Sequence, residues 1–334
     1  MTTEKDFCHL HVHTVYSILD GINKIKNLAQ HVKASGMSSC AITDHGVLHG
    51  VVEWYKEGIK AGIKPIIGVE AYLTDDEDGI EDNKNKTRDN YHCIMVAQNE
   101  EGLRNLFWLT NQANLHNFYY RPRISIQNLE KRSSGIIATS SCLGGIVSKQ
   151  GKYTKQSSSD GIFEDDGSAT KAIEKFARIF NGKFYTEIQD NPEFWQQKAY
   201  NRWLVQKAKD MNLPTVITAD AHWLTKADKD THDLIMAQQL KCSVEEYRSQ
   251  GDEDGLYYGK GHYIRTPEEM YQAAIKYNCE ESFWNTTEIA KQVNLDLKLG
   301  EYKSPMFNIE KEDDYEDFKK WKSHRFECES HIHC

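Results

Sequence analysis

Short apolar runs alternate with amphipathic segments along most of this 334-residue chain, and this alternation limits the folds it can form. The run at 65–69 has the length and composition of a buried parallel strand. The preceding segment, 51–60, has helical periodicity, and Gly62 suits the end of that helix. Repeated strand–helix units predict a parallel sheet with helices outside it. Strands are predicted at 9–14, 40–43, 65–69, 91–97, 135–140, 183–188 and 214–219, and helices at 24–35, 51–60, 101–115, 170–181 and 193–211.

Polar stretches divide the chain further. The stretches 74–90 and 150–168 are typical of exposed loops. After residue 224 the alternation fades into a polar, mostly helical region with a hairpin or loop near 251–264. We predict a barrel over 1–225, a mostly helical extension over 226–305 and a charged tail over 306–334.

Composition excludes several classes of protein. A net charge of -9 argues against broad non-specific DNA binding, which depends on Lys and Arg. It does not exclude a nuclease, because bound metal ions supply positive charge. The sequence contains no 18-residue apolar run and no signal-peptide core, so we expect a cytoplasmic protein without a membrane span. The eight cysteines form no CxxC pair and are expected to be free thiols.

Three histidines alternate in the first predicted strand. Side chains two residues apart on a strand share a face, so His11 and His13 could bind one metal ion. A polar edge strand explains two histidines equally well. The decision therefore depends on ligand-type residues elsewhere in the chain.

Such residues recur where predicted strands end. One alone is usually a capping or hydrogen-bonded polar group, but a set of nine is hard to explain in that way. The candidate ligands are His11, His13, Asp20, His45, Glu70, His92, Cys142, Asp220 and His222. Active sites lie at strand ends in closed barrels, so we prefer a barrel to an open sheet.

The candidate ligands also predict a chemistry. Their imidazole, carboxylate and thiol groups suit zinc, manganese or iron. Nine ligands exceed the needs of one ion, so we expect two or three ions with a carboxylate such as Glu70 shared between them. Closely spaced ions favour phosphate-ester hydrolysis. The residues expected to act in catalysis are His11, His13, Glu70, Asp220 and His222.

Four motifs carry a family resemblance: HLHVHT at 9–14, TDHG at 43–46, GIKPIIGVE at 62–70 and SCLGG at 141–145. They resemble the PHP (polymerase and histidinol phosphatase) domain. Together with FYYRPR at 118–123 and YIRTPEEM at 263–270, they are most similar to the PHP domain of bacterial DNA polymerase III alpha subunits. The resemblance covers roughly 5–305. It implies a distorted (β/α)7 TIM-like barrel with a C-terminal helical extension, up to three metal ions, and the same nine ligands, with His9 in a supporting role.

The resemblance also implies a function. We expect a metal-dependent phosphoesterase, a 3′–5′ exonuclease in DNA replication or proofreading. Its partners would be a single-stranded or frayed 3′ end of DNA and a separate polymerase chain or other replisome subunits. The acidic run at 310–317 lacks the apolar strand context of a polymerase palm, so this chain alone is not expected to polymerise DNA.

Two alternatives remain: a phosphomonoesterase of the histidinol-phosphate type, and a metal-stabilised scaffold that docks polymerase partners. Arg121 and Arg123, which follow two tyrosines, are predicted to bind substrate phosphate beside a stacked base. An ordinary loop with buried tyrosines explains that segment equally well. Asp44 is expected to orient an imidazole, and His232 and His262 to be surface or structural residues.

Overall fold

The computed structural model describes residues 5–76, 86–157, 160–249 and 257–300. Met1–Asp296 form one compact unit, and the second unit, Leu297–Cys334, lies almost wholly outside the described residues. The predicted tail at 306–334 and the acidic run at 310–317 also lie outside them.

Strands are interspersed with helices up to residue 218, and helices follow. The strands are β1 (Cys8–His9), β2 (Ser39–Ile42), β3 (Lys64–Thr74), β4 (Tyr91–Ala97), β5 (Phe118–Tyr119), β6 (Arg121–Ser125), β7 (Ile136–Thr139), β8 (Lys152–Ser157), β9 (Asp160–Glu164), β10 (Phe184–Gln189) and β11 (Thr215–Thr218). The helices are α1 (Ile25–Ala34), α2 (Val51–Ala61), α3 (Glu100–Leu115), α4 (Ile126–Arg132), α5 (Ile146–Lys149), α6 (Ser168–Ile179), α7 (Trp195–Asp210), α8 (Lys229–Leu240), α9 (Val244–Ser249), α10 (Pro267–Lys276) and α11 (Glu281–Gln292).

The main sheet is a barrel. Its strands pair in the order β1-β2-β3-β4-β7-β10-β11, and an isolated parallel bridge between Val12 and Ala221 joins the segments that directly follow β1 and β11. Strands β5 and β6 lie outside this circle, beside β3. The predicted fold class, a distorted (β/α)7 TIM-like barrel with a C-terminal helical extension, is confirmed.

One strand corrects the prediction of a wholly parallel sheet. Strand β4 runs antiparallel to both of its neighbours, β3 and β7. An antiparallel return needs no crossover helix, and the sequence between β3 and β4 has no helical periodicity. Strand β3 is also longer than predicted, because its second half pairs with β6 as well as β4.

The segment 150–168, predicted as an exposed loop, is mostly ordered structure. Strands β8 and β9 form an antiparallel hairpin within it, and Tyr153 lies opposite Phe163. The two rings make an edge contact at 5.0 Å between centroids. The polar composition of the hairpin concealed it, because most side chains of β8 face solvent. Of the other predicted loop, 74–90, residues 77–85 lie outside the described part of the chain.

The C-terminal helices pack against the barrel. Ile289 and Val293, on and just after α11, share a buried cluster with Leu10, Ile66 and Val216 from the barrel strands. Removing this apolar surface from water stabilises the position of α11. The domain boundary at residue 225 remains a prediction. Among the helices of the described ranges, none has the length and apolar character needed to cross a bilayer.

Candidate metal centre

One rim of the barrel collects all nine predicted ligands. His11 and His13 follow β1, His45 follows β2, Cys142 follows β7, and Asp220 and His222 follow β11. These strands are parallel, so their carboxyl ends meet at the same edge. Asp20 lies in the turn after the first of these segments.

His92 and Glu70 reach the rim in a different way from the prediction. His92 lies near the start of β4, not at its end. Because β4 is antiparallel, its first residues lie beside the carboxyl ends of its neighbours. Glu70 lies within β3, which continues to Thr74, and pairs by a parallel bridge with His45.

The buried Glu70 carboxylate is the centre of the cluster. Its Oε1 lies 3.0 Å from His92 Nδ1 and 3.4 Å from His11 Nε2. Its Oε2 lies 2.9 Å from His45 Nδ1 and 3.2 Å from His13 Nε2. A single carboxylate therefore faces four imidazoles, two on each oxygen, which is the position expected of a ligand shared between ions.

Two aspartates border the same space. Asp220 Oδ1 lies 3.1 Å from His11 Nε2 and 3.4 Å from His13 Nε2. Asp20 Oδ2 lies 2.9 Å from His45 Nε2 and 3.6 Å from His222 Nε2.

The thiol lies on the Glu70 side of the cluster. Cys142 Sγ is 3.5 Å from His92 Nδ1 and 3.8 Å from Glu70 Oε1.

The turns that carry these ligands hold backbone strain. Leu19, Ser141 and Asp220 have φ angles of 62°, 59° and 49°, in the left-handed region that non-glycine residues rarely adopt. Such strain costs on the order of 1–3 kcal/mol per residue and concentrates at functional sites. Two of these residues immediately precede Asp20 and Cys142, and the third is itself a candidate ligand.

The electrostatics of the cluster favour positive charge. Burial alone would lower the pKa of His11, but the carboxylates of Asp220, Glu70 and Glu187 outweigh it and raise that pKa well above the ordinary value. Burial would raise the pKa of Asp220, yet the neighbouring His11 and His222 hold it far below the ordinary value. A proton or a metal cation at this position would offset the buried carboxylates.

The arrangement of donor atoms fits metal ions. Asp20 Oδ1, Asp220 Oδ1 and His45 Nδ1 are buried without a hydrogen-bond partner, although charged or polar atoms lie close to the last two. Buried donor atoms without hydrogen-bond partners are available to bind metal ions. Four groups of three ligand atoms lie within 4.8 Å of one another in the described residues: His13, His45 and His222; His11, His13 and Glu70; His45, Glu70 and His92; and Asp220, His222 and His262. The mixed nitrogen, oxygen and sulfur donors suit divalent transition metals.

Glu187, which the sequence reasoning missed, supports His11. Its fully buried Oε1 accepts hydrogen bonds from His11 Nδ1 at 2.7 Å and from Thr218 Oγ1 at 2.6 Å. With Nδ1 donating to this carboxylate, His11 presents Nε2 to the cluster. The sequence did contain a signal for Glu187. It lies two residues before Gln189 on a buried strand, so both polar side chains lie on the same face.

Asp44 supports an imidazole indirectly. Its Oδ1 accepts a hydrogen bond from the Ser17 hydroxyl at 2.7 Å, and the Ser17 oxygen lies 3.0 Å from His13 Nδ1. Asp44 can therefore orient the His13 ring through the Ser17 hydroxyl. In this orientation His13 Nε2 faces Glu70 and Asp220.

Two histidines expected from the sequence to be surface or structural residues also lie beside the cluster. His262 belongs to the last of the four groups, and its Nδ1 lies 2.9 Å from the Asp220 carbonyl oxygen. His232 is fully buried, and its ring packs 5.9 Å from that of His222. Neither follows a barrel strand, so no strand-end pattern could have identified them.

A cavity of about 880 Å³ opens over the cluster, and Arg121 lines it. The Arg121 guanidinium lies 5.5 Å from the centre of the Tyr72 ring. Arg123, by contrast, is 1% exposed and lies 3.0 Å from Asp76 Oδ2. The prediction that Arg123 binds substrate is therefore wrong, because its side chain is buried and its charge is paired with Asp76 inside the fold.

The exposure of the neighbouring aromatic residues does not fit the alternative of a loop with buried tyrosines. Tyr120 is 73% exposed, and its φ of 59° is again left-handed. Phe118, at the same cavity mouth, is 54% exposed. Aromatic surface therefore stands beside Arg121 in solvent.

Comparisons with known proteins agree on one family. A sequence model described as the PHP domain matches residues 9–191. DNA polymerase III subunit alpha of Borreliella burgdorferi is 35% identical over 90% of this chain, and that of Helicobacter pylori is 34% identical over 90%. The Aquifex aeolicus protein of the same name is 36% identical over 73%. The chain spans only 21% to 24% of the length of these relatives.

Proposed function

Since the chain belongs to the PHP domain family, we propose that it is a metal-dependent phosphoesterase that removes nucleotides from the 3′ end of DNA. The observation that carries this proposal is the convergence of nine ligand-type side chains on one rim, under a cavity of about 880 Å³. The ligands we propose are the nine identified from the sequence, with His262 as a further candidate.

The side chains would have different roles in such a site. Bound divalent ions would supply a nucleophile from water near neutral pH and offset charge on the phosphoryl oxygens. Glu70, with two imidazoles at each oxygen, would be shared between ions. Glu187 and Ser17 hold His11 and His13 in the ring orientations that direct Nε2 inward. Five residues would contact the reacting groups through the ions: His11, His13, Glu70, Asp220 and His222.

The cavity mouth supports a nucleic-acid substrate. Exposed Tyr120 and Phe118 offer faces on which unpaired bases can stack, and stacking contributes about 1–3 kcal/mol per base. Arg121 and Lys149 line the same cavity and are positioned for backbone phosphates. The net charge of -9 disfavours extended DNA contacts, so we propose that a single-stranded or frayed 3′ end enters alone.

We further propose that the protein acts beside a separate polymerase chain in a replisome. The relatives are DNA polymerase III alpha subunits, and this chain corresponds to about a quarter of their length. We expect no polymerase activity from this chain alone.

A degradation assay tests the proposal. The metal-loaded protein is incubated with 5′-labelled single-stranded DNA, with a 3′-mismatched primer on a template, and separately with an aryl phosphate. We expect stepwise shortening from the 3′ end by the wild type and by His49→Ala, a control at an exposed histidine outside the cluster. His222→Ala should leave the DNA intact. Turnover of the aryl phosphate alone would indicate a phosphomonoesterase, and bound metal without turnover would indicate a scaffold; either result contradicts the exonuclease.

A further inference from the structure

A segment beyond the barrel completes the wall of the candidate metal centre. The stretch after residue 257 runs alongside the chain that leaves β11, and a parallel bridge joins Tyr263 to Trp223. The backbone N–H of His222 donates to the carbonyl oxygen of His262 at 2.8 Å, and that of Ile264 donates to the Trp223 carbonyl at 3.1 Å. These bonds fix the segment against a ligand-bearing turn, outside the region 9–191 that the family model matches.

The phenol of Tyr258 reaches into the cluster from this segment. Its hydroxyl donates a long hydrogen bond to Asp20 Oδ2 at 3.4 Å, and its oxygen lies 3.2 Å from His222 Nε2. Its ring packs 4.5 Å from the His222 ring and 5.0 Å from the His262 ring. Tyr258 also lines the cavity, so its side chain borders both the ligand atoms and the space open to a substrate.

A small apolar cluster holds Tyr258 from behind. Its backbone N–H donates to the Tyr247 hydroxyl at 3.0 Å, and its side chain packs against the buried cluster formed by Met236, Ala237 and Tyr247. Tyr247 is fully buried, so this anchor is not a surface contact that can easily move. The position of the phenol is therefore set by helices α8 and α9.

The chemistry of the wall suggests what the phenol does. Every oxygen among the nine ligands belongs to a carboxylate, which accepts hydrogen bonds and repels a phosphate. An ester phosphate needs donors as well as cations. The Arg and Lys side chains that line the cavity are Arg121, on β6, and Lys149, in α5. Both elements come much earlier in the chain than Tyr258. Tyr258 places a neutral O–H donor directly beside Asp20 and His222.

We propose that Tyr258 is a further catalytic residue, whose hydroxyl donates a hydrogen bond to a phosphoryl oxygen of the substrate. The phenol exchanges its long hydrogen bond to Asp20 for one to the phosphoryl oxygen. It keeps its proton, so no covalent bond is made or broken at Tyr258. This inference rests on the proposed phosphoesterase function. It assigns the helical extension a part in the chemistry, not only a role as a connector.

Tyr258→Phe tests the inference, because it removes one hydroxyl and keeps the ring packing. Three quantities are measured on the metal-loaded full chain: metal content, the Kd for inorganic phosphate by calorimetry, and kcat and KM on single-stranded DNA. We expect unchanged metal content, phosphate binding weakened about 5- to 10-fold, and kcat lowered about 100-fold. Tyr257→Phe is the matched control, since Lys229 Nζ lies 4.9 Å from the centre of its ring and the Tyr247 ring lies 5.5 Å away. Within the described residues it makes no hydrogen bond or ring contact with the nine ligands.

Each outcome is decisive. Loss of metal from Tyr258→Phe would mean that the phenol supports the ligands, and unchanged phosphate affinity would mean that it does not reach the phosphate; both overturn the inference. If the wild type binds phosphate but hydrolyses neither DNA nor an aryl phosphate, the proposed function fails, while the phosphate Kd still decides the role of Tyr258.

Discussion

The orientation of His11 by Glu187 gives a prediction that can be worked out from the structure. Glu187 Oε1 accepts from His11 Nδ1 at 2.7 Å, from Thr218 Oγ1 at 2.6 Å and from Gln189 Nε2 at 3.1 Å. In Glu187→Gln the amide oxygen can keep these three bonds, and the amide nitrogen can donate to Thr139, which bonds the other carboxylate oxygen in the native protein. The substitution therefore removes the charge while it preserves the geometry.

The size of the effect follows from hydrogen-bond energies. A hydrogen bond to a charged group contributes about 1.5–3 kcal/mol, and a neutral one about 0.5–1.5 kcal/mol. For the His11 bond alone the difference is about 1–1.5 kcal/mol, which corresponds to roughly a tenfold weaker metal affinity. This lies at the lower end of the roughly 10- to 100-fold effects of residues that orient metal ligands.

The assay is a competition titration of zinc between the metal-free protein and a chromophoric chelator at constant pH. Asp76→Asn is the matched control, because Asp76 is another buried carboxylate in an ion pair, 3.0 Å from Arg123 and away from the nine ligands. We expect Glu187→Gln to lose about tenfold in affinity and Asp76→Asn to keep the native affinity. Native affinity in Glu187→Gln, or an equal loss in both variants, would refute the reasoning.

Three further predictions follow from single residues. His222→Ala should lower metal occupancy and abolish DNA shortening while the circular dichroism spectrum stays native, because the other ligands and the barrel core remain; a collapsed spectrum would contradict it. Arg123→Ala should lower the free energy of unfolding by about 3–5 kcal/mol in a urea titration, since it leaves a buried carboxylate unpaired, whereas Arg121→Ala should raise KM for DNA at native stability; the reverse pattern would be inconsistent with the burial of the two side chains. Burial would raise the pKa of Asp190, but Lys276 and Arg265 outweigh it and lower that pKa. The stabilisation by Asp190 is therefore present above an unfolded-state pKa of about 3.9 and is lost as pH falls through the lower folded value. Acid-unfolding curves of Asp190→Asn should lack that part of the stability loss, and curves parallel to those of the wild type would refute this prediction.

The sequence predicted most of the barrel because its elements follow local rules. The strand expected at 91–97 is β4, and the helix expected at 101–115 matches α3, which begins one residue earlier. Strand direction was not predictable, since β4 is apolar in either orientation and only its neighbours set its direction. The β8–β9 hairpin was missed because its side chains are largely solvated, which leaves no apolar alternation to detect.

The residues of the candidate site could be predicted from the sequence where they lie at or near the ends of strands. All nine ligand positions meet at one rim, although for His92 this happens because β4 is reversed. Tyr258 and His262 come from a segment without a strand pattern, and only tertiary contacts place them beside His222. The failure for Arg123 is of the opposite kind: the sequence suggested a pair of substrate-binding arginines, but a buried ion pair with Asp76 holds Arg123 inside the fold.

The number of metal ions held by the purified protein tests the central claim most directly. Elemental analysis after dialysis against trace zinc, manganese and iron, with the protein concentration measured independently, gives ions per chain. Nine convergent ligands predict two or three ions per chain in the wild type, with at least one lost in His222→Ala. Fewer than one ion per chain in the wild type, or an unchanged count in the variant, would contradict the account.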